Sequence, residues 1–585
     1  MRFRGRTVGA LALAVGLFAA YASPALAADT LTPSPVVLTL QAGQSTTINK
    51  SLHLDGLPAK ADIIVAIDTT GSMSGALADA KDDAEQICLD VQAAIPGARF
   101  AAVMFQDYPI AGYGAAGDTP YSLRTPGYTD DCAVFSAGVN SMTLGNGGDF
   151  PESNNRVHFE AYSDPALVTD RDPDATRFLV MLADDRPHST TTVGSCANTG
   201  SLSDPGRNSV NESGGGDDIE TQEAIDGLNA DDTTLLYISY IGGTSALPCH
   251  ESLAAATGGD AVADEDAEDI GAFIIAQAEL VPYSVNLAVG GQCPPVGLTF
   301  NPVPPYGPFT GEQTIAFTET ITAPTVPGNY TCTVTAVMTP GGPTTAIQTI
   351  NLTVTPGDPA TLVLTPETDT NTVDDQHCVT ATVRDAFGNP TPGINVRFSV
   401  AGSVTTSGTA MTNAAGQAQF CYTGPALPGA DVITAYADTD NDNVNDAAPA
   451  DPEDTATKRW VIPANMEGCK VTYGGRIMAR NGDKATFGGN ANGNGPKGNE
   501  NYQDHGPAAD LHVQSIEIQS VVCNAAGTTA SIFGTASING SGTFDFRIDL
   551  KDLGEPGSSD TYRIRRSNGY DSGVQILEGG NVQIH

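Results

Sequence analysis

Beyond its opening segment the sequence has no apolar run of the roughly 18–20 residues that a membrane-spanning helix needs, so helical insertion into a bilayer is not expected. Basic side chains are scarce. Lys and Arg number 27 against 68 Asp and Glu, a formal net charge of −41, which makes nucleic acid a poor partner. No cysteine pair has the CxxC spacing of a zinc site. His250-Glu251 begins an HExxH motif, but Ala254 holds the place of the second histidine. No GxSxG nucleophile elbow occurs, and Gly493-Asn494-Gly495-Pro496-Lys497-Gly498 lacks the GK[ST] and the strand–loop–helix context of a phosphate loop. Asp504-His505 has no nucleophile nearby and reads as a buried structural pair. No enzymatic activity is expected.

What is present begins with Arg2, Arg4 and Arg6, an apolar stretch from Val8 to Ala20, and Ala25-Leu26-Ala27 before Ala28. That pattern predicts a secretory leader over 1–27 and an extracellular protein. The polar end Gln583-Ile584-His585 carries no anchor signal, so the protein is expected to be secreted without membrane insertion. A chain of 585 residues exceeds one core and suits roughly three to five domains. The ten cysteines group accordingly. Cys88, Cys132, Cys196 and Cys249 fall in the first large region, with pairings left open. Cys293 and Cys332, Cys378 and Cys421, and Cys469 and Cys523 fall by twos in the later ones. Even counts per region point to one disulfide framework per module, as an oxidising exterior permits.

Between residues 61 and 281 short apolar runs alternate with helical periodicity, the pattern of a doubly wound α/β domain around a parallel sheet. Ile63-Ile64-Val65-Ala66-Ile67 reads as a strand buried on both faces. Leu77, Ala80, Ala84, Ile87, Cys88, Val91 and Ile95 recur at helical steps until Pro96-Gly97. Phe100 to Phe105, Phe178 to Leu182 and Leu235 to Ile241 read as further strands, and Ile270 to Leu280 as a closing helix. After Tyr283 helical periodicity gives way to Thr, Val, Gly and Pro with period-two alternation, which indicates antiparallel β modules. Strands within 28–60 are too short to fold alone and are expected to pair with 282–356, so that the α/β domain is inserted in a β-sandwich or followed by one. Pro356-Gly357-Asp358-Pro359 marks a linker. An Ig-like β-sandwich over 357–460 and an all-β module over 465–585 complete the architecture.

The chemistry gathers at Asp68-Thr69-Thr70-Gly71-Ser72, directly after the first α/β strand. Ligands of open α/β sheets collect beyond the carboxyl ends of the strands. A hard divalent cation wants oxygen donors, and Asp68, Thr70 and Ser72 supply them. Asp184 follows the strand Phe178 to Leu182, and Glu152 sits in the loop Gly147-Gly148-Asp149-Phe150-Pro151-Glu152. These residues resemble the von Willebrand factor A domains, and more narrowly the metal-binding domain of integrin β subunits. The resemblance implies that Asp68, Thr70, Ser72, Glu152 and Asp184 hold Mg2+, Mn2+ or Ca2+ in a metal-ion-dependent adhesion site. It also implies that a carboxylate of an extracellular protein partner completes the shell. Phe105-Gln106-Asp107 resembles the segment feeding a second cation, which Asp107, Asp149 and Glu152 would hold, although Gly147 stands where the family offers asparagine. A third site needs acids where Gly75 and Ala76 stand, so its absence is expected.

Asp385-Ala386-Phe387-Gly388-Asn389-Pro390 and Thr412-Asn413-Ala414-Ala415-Gly416 resemble bacterial Ig-like domains of the invasin and intimin group, which act as spacers. Within this module Asp438, Asp440, Asp442 and Asp446 occupy the first, third, fifth and ninth places of a Ca2+ loop. Asn443 replaces the usual glycine and Pro449 the usual twelfth acid, so Asp451 or Glu453 would have to serve there. The leading expectation is a secreted, metal-dependent adhesion protein with its β modules as a stalk. The alternative is a structural or surface-assembly protein whose A domain recognises nothing.

Overall fold

The computed structural model describes residues 28–148, 150–199, 202–212, 215–240, 246–264, 270–293, 295–446 and 451–585. The leader expected over 1–27, Asp149 and Ile241 lie outside them. β structure predominates, and the described chain divides into two compact units, the residues up to Leu40, Gln44–Pro324 and Asn329–Thr353 in one and the remainder in the other.

The first unit contains a six-stranded sheet in the order Ser122–Leu123, Gly97–Phe105, Lys60–Asp68, Thr176–Ala183, Thr233–Tyr240 and Ala261–Asp264. All pairings are parallel except that of the edge strand Ser122–Leu123. Strand Lys60–Asp68 is buried along nearly its whole length because both faces are covered. Ile63, Val65 and Ile67 pack with Leu77, Ile87 and Val91 of helix Ser74–Ala94 and Ile274 of helix Ile270–Ala278. Ile64 and Ala66 face the opposite way, toward Val157, Ile225 and Leu253 of helices Asn154–Ser163, Thr221–Ala230 and Leu247–Ala255. Each such branched side chain contributes roughly 1.5–3 kcal/mol by leaving water, so a charge at Ile64 or Val65 would break this layer. From Lys60–Asp68 the chain goes first to the neighbour on one side, Gly97–Phe105, and later to the other, Thr176–Ala183. The carboxyl end at Asp68 is therefore the switch point of the sheet.

Strands before and after this α/β segment in sequence meet in two antiparallel sheets. Ser45–Leu54 pairs over its full length with Gln313–Thr322, from Leu54 opposite Gln313 to Ser45 opposite Thr322. Thr30–Thr32 and Gly297–Asn301 complete that sheet, while Val36–Gln41 joins Gly342–Thr355 at the edge of a five-stranded one.

The second unit holds an Ig-like sandwich and a C-terminal module. The sandwich stacks a sheet of Pro359–Thr365, Gln376–Asp385 and Gln417–Thr423 on one of Thr368–Thr372, Glu453–Val461, Gly429–Asp438, Asn395–Gly402 and Thr406–Met411. Val379, Val396, Phe398, Ile433 and Trp460 fill its core. The C-terminal module is one nine-stranded antiparallel sheet. Its edge strands Gln575–Ile576 and Gly579–Ile584 are separated in sequence only by Leu577 and Glu578, so the sheet curls back on itself. Inside it Tyr562 stacks on Phe487 and Tyr502, and its hydroxyl donates to the buried carboxyl of Glu500 at 2.6 Å. Asp504 and His505 do not form the buried pair expected from sequence. As neighbours on strand Lys497–His505 they face opposite ways, Asp504 inward to Tyr570 and Asn481, His505 outward to Thr486.

The cysteines pair as Cys88–Cys132, Cys196–Cys249, Cys293–Cys332, Cys378–Cys421 and Cys469–Cys523, and none among the described residues is free. Each bond stays within one module, and the first two resolve the pairing that sequence left open. Among the described residues no helix is long and apolar enough to cross a membrane.

Candidate metal centre

Three acidic side chains from distant segments converge at the switch point. Carboxylate oxygens of Asp68, Glu152 and Asp184 lie within 4.8 Å of one another. All three residues are buried, at 0, 2 and 4 % exposure. Asp68 ends its strand, and its Oδ1 accepts the Thr70 amide at 2.8 Å, which turns the chain back over the carboxylate. The Thr70 and Ser72 hydroxyls lie 3.2 Å apart at the start of the following helical turn, Thr70 buried and Ser72 exposed. Glu152 is placed by a short bridge: its amide donates to the Arg186 carbonyl at 3.0 Å and its carbonyl accepts from His188 at 3.2 Å. That bridge ties the loop to the segment just after Asp184.

One carboxylate oxygen of each acid, Asp68 Oδ2, Glu152 Oε2 and Asp184 Oδ1, is buried without a hydrogen-bond partner. Buried polar atoms are nearly always satisfied, so three orphans in one cluster call for a missing counter-charge. Burial, then the charge of Asp184, holds the Asp68 carboxyl well above the usual carboxylate range. Burial, reinforced by Asp68, Asp107 and Asp184, pushes Glu152 up to about 11. Asp68 and Glu152 are thereby held toward their protonated forms, and a divalent ion binding at the unpartnered oxygens would take the place of those protons. The donor set, carboxylates with adjacent hydroxyls, is that of a hard ion.

Hydrogen bonds tie the motif to its surroundings. The Gly145 amide donates to the Thr69 carbonyl at 2.8 Å, and Gln106 Nε2 donates to Thr69 Oγ1 and the Thr143 carbonyl, each at 3.0 Å. The loop after Thr143 thereby lies against the motif. A Cβ on Gly147, whose φ is +62°, would sit 3.5 Å from the Thr70 Cβ. Behind Asp185, His250 stacks on Tyr237 with centroids 4.1 Å apart and bonds the Asp185 carbonyl at 3.0 Å. His158 bonds the Tyr237 hydroxyl at 2.8 Å. Burial pushes His158 down to about 3 and His250 down to about 4, so both imidazoles are neutral at ordinary pH. Sequence reasoning noticed His250 only as half of a broken motif and missed His158; neither stands in a spacing that marks such a role.

The second cation site expected at Asp107, Asp149 and Glu152 is placed only in part. Asp107 Oδ1 stands 3.4 Å from His188 Nε2, both fully buried, and Asp149 is outside the described residues. In the Ig-like module, Asp438, Asp440 and Asp442 bring oxygens within 4.8 Å of one another. Asp438 is buried, with Oδ2 taken by Arg397 Nε at 2.5 Å and Oδ1 unpartnered. Asp446 stands outside that group, its amide donating to Asp451 Oδ2 at 3.2 Å. Of the two acids considered for the twelfth place, Asp451 accepts from Thr439 and Glu453 from Asn445; Pro449 is outside the described residues.

Residues 361–448 match the family described as bacterial Ig-like domain (group 1). No curated protein matches the chain. Among solved structures, one similar chain is the ArnB paralog VWA2 from Sulfolobus acidocaldarius, at 14 % identity over 56 % of this chain and 76 % of that one, with a TM-score of 0.23. The pilus adhesin SpaC from Lactobacillus rhamnosus GG, in an open conformation, gives 10 % identity over 95 % and 83 % with a TM-score of 0.27. The D00-D0 domain of Intimin gives 13 % over 30 % and 84 %, with a TM-score of 0.18.

Proposed function

We propose that the protein is an extracellular adhesion or ligand-binding protein whose α/β domain, of von Willebrand factor A type, takes an acidic protein ligand through a divalent cation. The observation that carries this reading is the convergence of three buried, unpartnered carboxylate oxygens at the switch point of a parallel sheet, beside an exposed serine. Asp68, Glu152 and Asp184 would hold Mg2+, Mn2+ or Ca2+, with Thr70 and Ser72 as hydroxyl donors. A bound cation supplies an electrophilic contact for a carboxylate. The chain's own part is to bind and orient: Asp68 fixes the Thr70 amide, the Glu152 bridge holds the third acid in register, and exposed Gly71 and Ser72 leave the motif open to a partner. The disulfides within each module suit an oxidising exterior, and the β modules serve as a stalk. Asp438, Asp440 and Asp442 form a second, Ca2+-binding point in that stalk, supported by the orphaned Asp438 Oδ1.

Calorimetric titration of Mg2+ and Ca2+ into the chelator-stripped full chain tests the first site beside Asp68→Ala and Glu152→Ala. Mg2+ heat that disappears in both variants while their circular dichroism is unchanged supports the assembled site, and any Ca2+ heat that remains belongs to the Asp438 cluster. Wild-type-like binding in both variants would leave the A domain as a rigid structural unit.

A further inference from the structure

Strand Glu453–Val461 alternates exposed and buried positions, and the inward ones are Ala456, Lys458 and Trp460. A lysine in that series is anomalous, since its side chain is fully buried in the sandwich interior. Its register partners make it more so. Asp369 is opposite Lys458 on the parallel neighbour Thr368–Thr372, and Asp431 is opposite it on the antiparallel neighbour Gly429–Asp438. Directly opposed residues face the same side of a sheet, so one lysine stands between two aspartates on the inner face.

The immediate geometry selects one of them. Lys458 Nζ lies 2.6 Å from Asp369 Oδ2 and 5.0 Å from the centre of the Trp460 ring. His377, from the facing sheet, places Nδ1 at 3.2 Å from the same oxygen. Asp431 is otherwise engaged: its Oδ2 accepts from Trp460 Nε1 at 2.7 Å and from the Tyr422 hydroxyl at 3.2 Å, and its Oδ1 accepts the Val404 amide at 2.8 Å. It fixes the aromatic wall beside the amine. Asp369 keeps about a third of its side chain exposed, an exit for a small leaving group.

We propose that Lys458 and Asp369 condense in the folded protein to an amide that joins the two strands covalently. A bond forms between Lys458 Nζ and Asp369 Cγ, the Cγ–Oδ2 bond breaks, and Oδ2 leaves as water. The ammonium gives up two protons and both end on that water. Ammonium plus carboxylate thus becomes amide plus water, with no oxidant or activating group consumed. His377 touches the departing oxygen and can take a proton from the amine and deliver it there. Burial and the Lys458 charge hold its imidazole below the usual range, the neutral form that such a relay needs.

Two physical terms favour the product. Groups fixed in contact have effective concentrations of about 10⁵–10⁸ M, which outweighs the excess of bulk water that favours the free acid and amine. A buried ion pair also carries a desolvation penalty that a neutral amide does not. Because Asp369 lies on the module's second strand and Lys458 on its last, the link would carry tension between those two strands.

The test is a peptide map of the secreted full chain, reduced, denatured and digested with trypsin. The expected result is that peptides containing Asp369 and Lys458 appear joined, lighter by one water, with no cleavage after Lys458. Lys458→Arg and Asp369→Ala should release separate linear peptides, and His377→Ala should leave a larger unjoined fraction. Separate linear peptides and cleavage after Lys458 in the wild-type chain would overturn the proposal, with no variant needed to decide it.

Discussion

The two acidic clusters, one in each unit, handle their charge in opposite ways. In the first, Asp68, Glu152 and Asp184 come from three segments separated by dozens of residues, all are buried, and each leaves an oxygen unpartnered. In the second, Asp438, Asp440 and Asp442 come from one short stretch, two of them are exposed, and Arg397 already neutralises the third. A cluster assembled by the fold builds up a charge deficit that only a cation or protons can fill. A cluster assembled by local chain keeps most of its hydration. The largest expected effect follows from that contrast. Losing a residue that merely orients a ligand costs about 10–100-fold in metal affinity, so Asp68→Ala, which removes a ligand, should cost more than ~100-fold in titration calorimetry. Because Asp68 and Glu152 are held above the usual carboxylate range, Mg2+ binding should also release protons. Repeating the titration in buffers of different ionisation enthalpy counts them, and a count of zero would put both carboxylates in the ionised state before metal arrives.

The contrast sharpens when pH is the variable. In the C-terminal module burial raises Glu500 to about 7, against an ordinary glutamate value of 4.5. The fold keeps a proton that the unfolded chain loses, so this contribution is complete below pH 4.5 and fades as pH rises through 7. The expected loss is about 3 kcal/mol at 1.36 kcal/mol per unit. Denaturant unfolding across that window should show the slope, and Glu500→Gln should flatten it. For two buried histidines of the first unit the sign reverses. His158 and His250 are held well below 6.5, so unfolding takes up protons that the fold refuses. Their contribution is complete above pH 6.5 and falls as pH drops toward 4, by about 2 kcal/mol each at pH 5. Replacing His250 by Gln should reduce the acid sensitivity of the α/β domain; an unchanged profile would mean that the imidazole titrates normally.

How much of this was legible in the sequence depends on how local the cause is. Ile63 to Ile67 announced a strand covered on both faces, and Leu77 to Val91 a helix, because the packing surface is written in the spacing of apolar residues. Asp68, Thr70 and Ser72 were legible as a motif. Glu152 stood out as a loop carboxylate and took its role from a family resemblance, since what places it is a bridge to Arg186 and His188 that no spacing encodes. Two cysteine pairings in the α/β region stayed open because four cysteines permit three connectivities. Strand parity was the signal left unused. Applied to Asp504 and His505 it forbids a buried pair, and applied from Trp460 back through Lys458 to Ala456 it turns the lysine inward.

The smallest expected effect lies in the local cluster. Two exposed carboxylates and one already paired with Arg397 should bind Ca2+ weakly, with a Kd of about 10⁻⁴–10⁻³ M, the range of extracellular modules. At a Ca2+ concentration ten times Kd, linkage gives only about 1.4 kcal/mol of stabilisation. Differential scanning calorimetry of the full chain should therefore show the Ig-like transition rising by a few degrees with Ca2+. Asp440→Ala should abolish that rise and leave the metal response of the α/β domain intact. Arg397→Met frees Asp438 Oδ2, so it should tighten Ca2+ binding if the guanidinium is what weakens the site. A weaker response in Arg397→Met would instead make the arginine the group that holds Asp438 in position, and the two clusters would then differ in architecture rather than in charge alone.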